Sequence, residues 1–312
     1  MTNPQRSAPP LAVYQGALPP RPGWFAQAVA RRPEVLPFAF QDAKIELLRW
    51  GRPDAPGLLL LHGNRAHAHW WAPLAPLLAD DFLVAALSWS GMGGSDWRES
   101  YSLASLAEEA ISAAEVAGLF EAGRPVLVAH SFGGGPAVIA AERCGERLAG
   151  LIILDTFYTN APDKMLVPQA SKHKVYASLE DALVRFRLVP PQDCSNHYYL
   201  DWIARNGMRE LSPDDPNGPG WNWKFDPKFW DNLIWDDRWR AMTGARCPLA
   251  FVDGGASRLQ DLGGREEVRR AVPAGTHFEQ VADAGHHLML DKPVEVVSAI
   301  RRIALQMVTE RI

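Results

Sequence analysis

The chain has 312 residues, of which 47% are apolar and 22% charged, with a formal net charge of −4. That length fits one large domain or two small ones, and that balance excludes a disordered chain or a coiled coil. The slightly acidic charge leaves no electrostatic footprint for nucleic acid.

Residues 1–37 carry Pro4, Pro9, Pro10, Pro19, Pro20 and Pro22. They predict an extended arm, either disordered or draped over the body. Phe38 to Phe40 and Lys44 to Trp50 read as short strands around a turn at 41–43. The apolar run Leu58-Leu59-Leu60-Leu61 ends at His62-Gly63 and reads as a strand buried on both faces. Trp70 to Ala79 is helix-like, and Phe82 to Leu87 is a second buried strand. A Gly-rich loop follows, Ser90-Gly91-Met92-Gly93-Gly94-Ser95. Leu103, Leu106, Ala107, Ala110, Ile111 and Ala114 are spaced as on a helix over 103–119. Val126 to Ala129 is a third strand, then a helix from Phe132 to Arg143, then a fourth strand from Leu151 to Leu154. Strands alternating with helices imply a mostly parallel, doubly wound α/β sheet.

After Asp155 the alternation stops. Residues 156–245 hold six of the twelve tryptophans: Trp202, Trp221, Trp223, Trp230, Trp235 and Trp239. The alternation resumes with a strand at Leu249 to Val252, a helix at Arg265 to Ala271, a strand at His277 to Val281 and a closing helix at Pro293 to Met307. The expected layout is thus a core at 38–155 and 246–312, with a mainly helical, Trp-rich cap inserted at 156–245.

The strongest chemical signal is Ala129-His130-Ser131-Phe132-Gly133, set between a buried strand and a helix. A serine on such a strand-to-helix turn needs small residues two before and two after it, so that neighbouring backbone can pass. Ala129 stands where the motif usually has glycine. The following helix directs its N-terminal N–H groups at the site. His62-Gly63-Asn64 follows the earlier strand, where an oxyanion loop belongs, and His286 follows the last strand in Asp283-Ala284-Gly285-His286-His287.

With these pieces in order, the chain resembles the α/β-hydrolase-fold superfamily of the cap-bearing serine hydrolase type over residues 38–310. The resemblance implies Ser131 as nucleophile and His286 as its general base. It implies an oxyanion hole made by the backbone N–H groups of Asn64 and Phe132. His130 resembles the structural histidine of such elbows. In most relatives the acid follows the strand after the cap, where this chain has Asp253-Gly254-Gly255-Ala256-Ser257 and a serine in the acid position. Some members take their acid from the strand before the cap, which points to Asp155; Asp253 and Asp261 are the alternatives. An aspartate nucleophile is missing, which disfavours dehalogenase and epoxide-hydrolase chemistry.

The aromatic content of 156–245, with Trp70 and Trp71, implies an apolar or aromatic pocket, or simply a cap that packs itself. Arg238 and Asp236 are either polar guides for substrate or a solvated surface pair. His67 and His69 make no metal signature on their own, and G-x-G-x-x-G is absent, so no metal or organic cofactor is expected. The expected partner is a small-molecule substrate.

The leading reading is an ester or acyl hydrolase. The resemblance also covers cofactor-free dioxygenases of N-heteroaromatic rings and carbon–carbon bond hydrolases. A non-catalytic ligand-binding member is the remaining alternative, resting only on Ser257.

Cys144, Cys194 and Cys247 are far apart and in no C-x-x-C pattern, which argues against a disulfide framework or a zinc site. No apolar run approaches the ~18 residues of a membrane span, and no secretory signal is visible, so a cytoplasmic protein is expected.

Overall fold

The computed structural model describes residues 8–161 and 174–309; the start of the Pro-rich arm, Pro4 included, and part of the inserted segment lie outside it. In chain order the elements begin with α1 (Gly23–Ala30), β1 (Glu34–Val35), β2 (Phe38–Phe40), β3 (Ala43–Ile45), β4 (Leu47–Trp50) and β5 (Gly57–Leu61). There follow α2 (Ala75–Leu78), β6 (Leu83–Leu87), β7 (Tyr101–Ser102), α3 (Leu103–Val116), β8 (Val126–His130), α4 (Gly134–Cys144) and β9 (Gly150–Leu154). The inserted segment holds α5 (Leu179–Leu183), α6 (His197–Asn206), β10 (Met208–Leu211), β11 (Gly220–Trp223), β12 (Leu233–Ile234) and α7 (Arg238–Thr243). The chain closes with β13 (Leu249–Gly254), α8 (Gly264–Ala271), β14 (His277–Val281), α9 (Leu288–Asp291) and α10 (Pro293–Thr309).

Eight strands form one sheet in the order β1-β4-β6-β5-β8-β9-β13-β14. From β6 to β14 every pairing is parallel, while β4 runs antiparallel to β6 and β1 to β4. Period-two alternation divides the core between the faces of the sheet. Leu58, Leu60, Val126, Val128, Ile152 and Leu154 face the side covered by α2 and α10. Leu59, Leu61, Leu127, Ala129, Leu151 and Ile153 face the side covered by α3 and α4. Strands buried on both faces are why these segments are uninterrupted apolar runs. Among the described residues no helix is long and apolar enough to cross a membrane.

Three local expectations change. Trp70 to Ala79 is not one helix but a 3-10 turn at Ala68–Trp70 followed by the short α2. Pro73 has no N–H to give to a carbonyl of the preceding turn, whereas Pro76 fits a first helical turn. The strand expected over 44–50 divides at Glu46, because β3 pairs with β2 and β4 with β6. The arm is not simply extended: it contains α1, which buries Phe25 and Ala28. The Phe25 ring lies 4.8 Å from Tyr198 and 5.5 Å from Tyr199, both on α6. The inserted segment adds to its helices an antiparallel hairpin, β10–β11.

Candidate active site

Ser131 follows β8 directly and sits at φ 53°, in the left-handed region. A non-glycine residue there costs about 1–3 kcal/mol, which the surrounding packing must impose. The turn is tight because α4 must start at once: a Cβ on Gly133 would meet the His62 carbonyl oxygen at 2.6 Å. Ala129 is fully buried, so one methyl is accommodated where the motif usually has none. Thr156 Oγ1 donates to the Ser131 carbonyl at 2.9 Å, and the Tyr158 hydroxyl to that of Gly134 at 2.8 Å. These two bonds brace the elbow from the end of β9.

Ser131, His286 and Asp155 form one hydrogen-bonded line. His286 Nε2 is 2.9 Å from Ser131 Oγ, and His286 Nδ1 is 2.7 Å from Asp155 Oδ2. Asp155 is the residue after β9 and also has a left-handed backbone, φ 44°. Its carboxylate accepts from Ser257 Oγ at 2.6 Å and from the Gly254 N–H at 3.1 Å. Burial alone would raise its pKa; the His286 imidazole, the Ser257 hydroxyl and the Gly254 N–H outweigh burial and hold it below the usual carboxylate value.

The two alternative acids lie elsewhere. Asp253 forms a buried ion pair with Arg265, and Asp261 is exposed in a 3-10 turn. Ser257, at the position where the resemblance implies an acid, donates to Asp155 instead. The sequence marks the position as unusual but not this donation, because hydroxyl direction has no linear signal.

His130 is buried, and its Nε2 is 3.0 Å from the His286 carbonyl oxygen, so it fixes the backbone under the His286 ring. Burial first, then repulsion from His286, pushes its pKa down to about 3. His62 ties the 62–64 turn to the Gly-rich loop: its Nε2 accepts from the Trp89 N–H at 3.0 Å, which leaves the ring proton on Nδ1, 2.7 Å from the Gly63 carbonyl. Asn64 accepts on Oδ1 from Trp230 Nε1 at 3.1 Å. Phe132 lies in the first turn after β8, where backbone N–H groups have no acceptor within the helix.

Of the six tryptophans, Trp230 and Trp235 lie at this corner. Trp230 meets the Phe132 ring edge-on at 5.2 Å and stacks on Trp235 at 5.7 Å. Trp202 is tied to the His69 carbonyl, Trp221 pairs within the hairpin, Trp223 packs on Phe186, and Trp239 is packed against the core.

His130, His286 and His287 bring one ring nitrogen each within 4.8 Å of one another, the one such histidine cluster among the described residues. Three imidazoles suit a transition ion, but ligation by His286 Nε2 would displace Ser131.

The model of the alpha/beta hydrolase family matches residues 58–299. Similar solved structures include a hypothetical protein of Pseudomonas aeruginosa, 24% identical with a TM-score of 0.71, covering 89% of this chain and 100% of that one. An esterase of Mycobacterium tuberculosis is 22% identical with a TM-score of 0.65, covering 90% and 96%. E-2-(acetamidomethylene)succinate hydrolase is 17% identical with a TM-score of 0.68, covering 88% and 99%. No protein of curated function matches. At these identities the likeness is one of fold. The family match spans the elbow, the 62–64 turn, both acid positions and the late histidine, and by it the chain belongs to the alpha/beta hydrolase family.

Proposed function

We propose that this chain is a serine hydrolase that cleaves an ester or related acyl bond of a small apolar or aromatic substrate. The observation that carries the reading is the continuous line from Ser131 Oγ through His286 to Asp155. Ser131 Oγ attacks the acyl carbon as its proton passes to His286 Nε2. The oxyanion takes the backbone N–H groups of Asn64 and Phe132, each such donor being worth about 3–4 kcal/mol of transition-state stabilisation. His286 gives the proton to the departing alkoxide, leaving an acyl-enzyme on Ser131. Water then loses a proton to His286, attacks the acyl carbon, and releases the acid as Ser131 regains that proton. Asp155 stays ionised and orients the imidazole. Residues 156–245 act as the cap, with Trp230 and Trp235 on its inner wall.

The test is labelling by a fluorophosphonate probe together with turnover of a p-nitrophenyl ester series. Wild type is expected to label and turn over. Ser131→Ala is expected to do neither, and Asp155→Asn to lose about 10³–10⁴-fold in kcat. Asp253→Asn retaining kcat within a few-fold keeps Asp155 as the acid; the reverse pattern would move the role to Asp253. Absent labelling combined with oxygen uptake on a quinolone would replace hydrolysis by cofactor-free ring cleavage, in which the same histidine takes a substrate proton.

A further inference from the structure

Arg238, the first residue of α7, is a cation without a counter-charge among the described residues. Its Cδ lies 3.1 Å from the point where Gly135 would carry a Cβ, and the Leu103 methyls lie 3.6 Å from the same point. Leu103 opens α3 and Gly135 lies in the first turn of α4, so the arginine sits where helix N-termini converge. These are the positive ends of the helices. No ion pair or hydrogen bond engages the Arg238 guanidinium among the described residues; it lies over the Trp235 ring, 5.0 Å from Cζ to the centroid, and within electrostatic reach of the Tyr158 hydroxyl. The residue is half-buried, and that partial burial lowers its pKa.

The carboxylates nearest in sequence are committed elsewhere. Asp236 Oδ2 accepts from the Ala104 N–H at 2.9 Å, and Asp237 Oδ1 caps Arg240 N–H at 2.9 Å. The surface pair of Arg238 with Asp236 does not form. A half-buried guanidinium beside helix N-termini, with no anion next to it, is open to a ligand that supplies one.

Its position says which ligand. Gly135 is four residues beyond Ser131, about one helical turn or ~5 Å along the helix. From the other side, an aromatic path leads from Arg238 across Trp235 and Trp230 to Phe132 and Asn64. We propose that Arg238 is a subsite for an anionic group, a carboxylate in the simplest case, carried by the substrate at a short distance from its scissile acyl carbon. This rests on the serine-hydrolase reading and narrows its substrates to acyl compounds with an apolar body and a charged end. A planar guanidinium fits a carboxylate in two parallel hydrogen bonds, which the ammonium of lysine cannot reproduce.

The probes are 4-nitrophenyl hydrogen glutarate and adipate, each against its neutral methyl ester. Wild type is expected to favour the anionic member of a pair by about tenfold or more in kcat/KM, with the preference shrinking at high salt. In Arg238→Gln the ratio should fall to near one, and Arg238→Lys should keep only part of it. A role in packing alone would shift both members of a pair together and leave the ratio alone. A ratio near one in wild type, or one unchanged in Arg238→Gln, overturns the proposal. Should the esters not turn over, the same ratio is read from Kd by tryptophan fluorescence, and the same two results overturn it. Fluorophosphonate labelling of Ser131 reports separately on the hydrolase reading, so the two failures are told apart.

Discussion

At the scale of single residues the site depends on a carboxylate and a hydroxyl from two different strand ends. Asp155 leaves β9 and Ser257 follows β13, and the 2.6 Å bond between them fixes the oxygen that faces His286. A hydrogen bond to a charged group is worth about 1.5–3 kcal/mol. Ser257→Ala is therefore expected to lower kcat by about 10–100-fold with KM little changed, and Ser257→Thr to keep most of the activity. A Ser257→Ala enzyme with wild-type kcat would show that Gly254 N–H and His286 hold the acid unaided. The same pair shows what a sequence conceals. Ser131, His286 and Asp155 each stand at a strand end with a recognisable neighbourhood. Ser257 reaches Asp155 from a neighbouring strand end and the Trp230 ring reaches Asn64 from the inserted segment, and nothing in their local sequence gives direction.

Among the elements, α1 is the clearest departure from what the sequence suggests. Its eight residues follow prolines that favour extended chain, yet Phe25 is 1% exposed and enters a cluster with Tyr198, Tyr199 and Trp202. The helix owes its stability to that docking, since eight residues are too few to hold a helix alone. The Tyr14 hydroxyl, 3.1 Å from His197 Nδ1, adds a polar tie between the arm and α6. Removing a buried phenylalanine ring costs about 3–5 kcal/mol. Phe25→Ala is thus expected to lower the thermal midpoint by roughly 5–10 °C. A shift under about 1 °C would mean that the arm docks without contributing to the body's stability. By contrast β5, β6, β8 and β9 are legible directly, because strands buried on both faces read as near-continuous apolar runs, with His130 at the end of β8 the one polar residue in the four.

For the molecule as a whole, buried histidines set the response to acid. Burial is the leading cause that depresses His62 to about 4, His67 to about 3 and His130 to about 3, and it takes His287 well below the usual value. In the unfolded chain these groups take up protons from about pH 6.5, while in the folded chain they do not. Their contribution is therefore full at neutral pH and lost as pH falls below about 6.5. Asp155, also depressed, adds a further loss lower down, below about pH 4. Glu109 works the other way: burial raises it to about 7, so its contribution is present in acid and lost as pH rises from about 4.3 through 7. Several histidines outweigh one glutamate. The thermal midpoint is expected to drop by about 5–10 °C between pH 7 and pH 5, measured by thermal melts across a buffer series. A flat profile would mean that these imidazoles gain protons while the fold stays intact.

At this scale the sheet is legible in the sequence and the inserted segment is not. Its hairpin β10–β11 and the split roles of its tryptophans arise from contacts with distant residues, such as Trp202 Nε1 on the His69 carbonyl, rather than from periodicity. The placement of Asp155 has a bearing on that segment. Ser131, the 62–64 turn and Asp155 all lie before residue 156, while His286 and the two groups that hold Asp155, the Gly254 N–H and Ser257 Oγ, return from beyond it. An insertion of another length, in laboratory chimeras or over descent, would leave the hydroxyl and the carboxylate in place and have two joints to realign, at 254–257 and at 283–287.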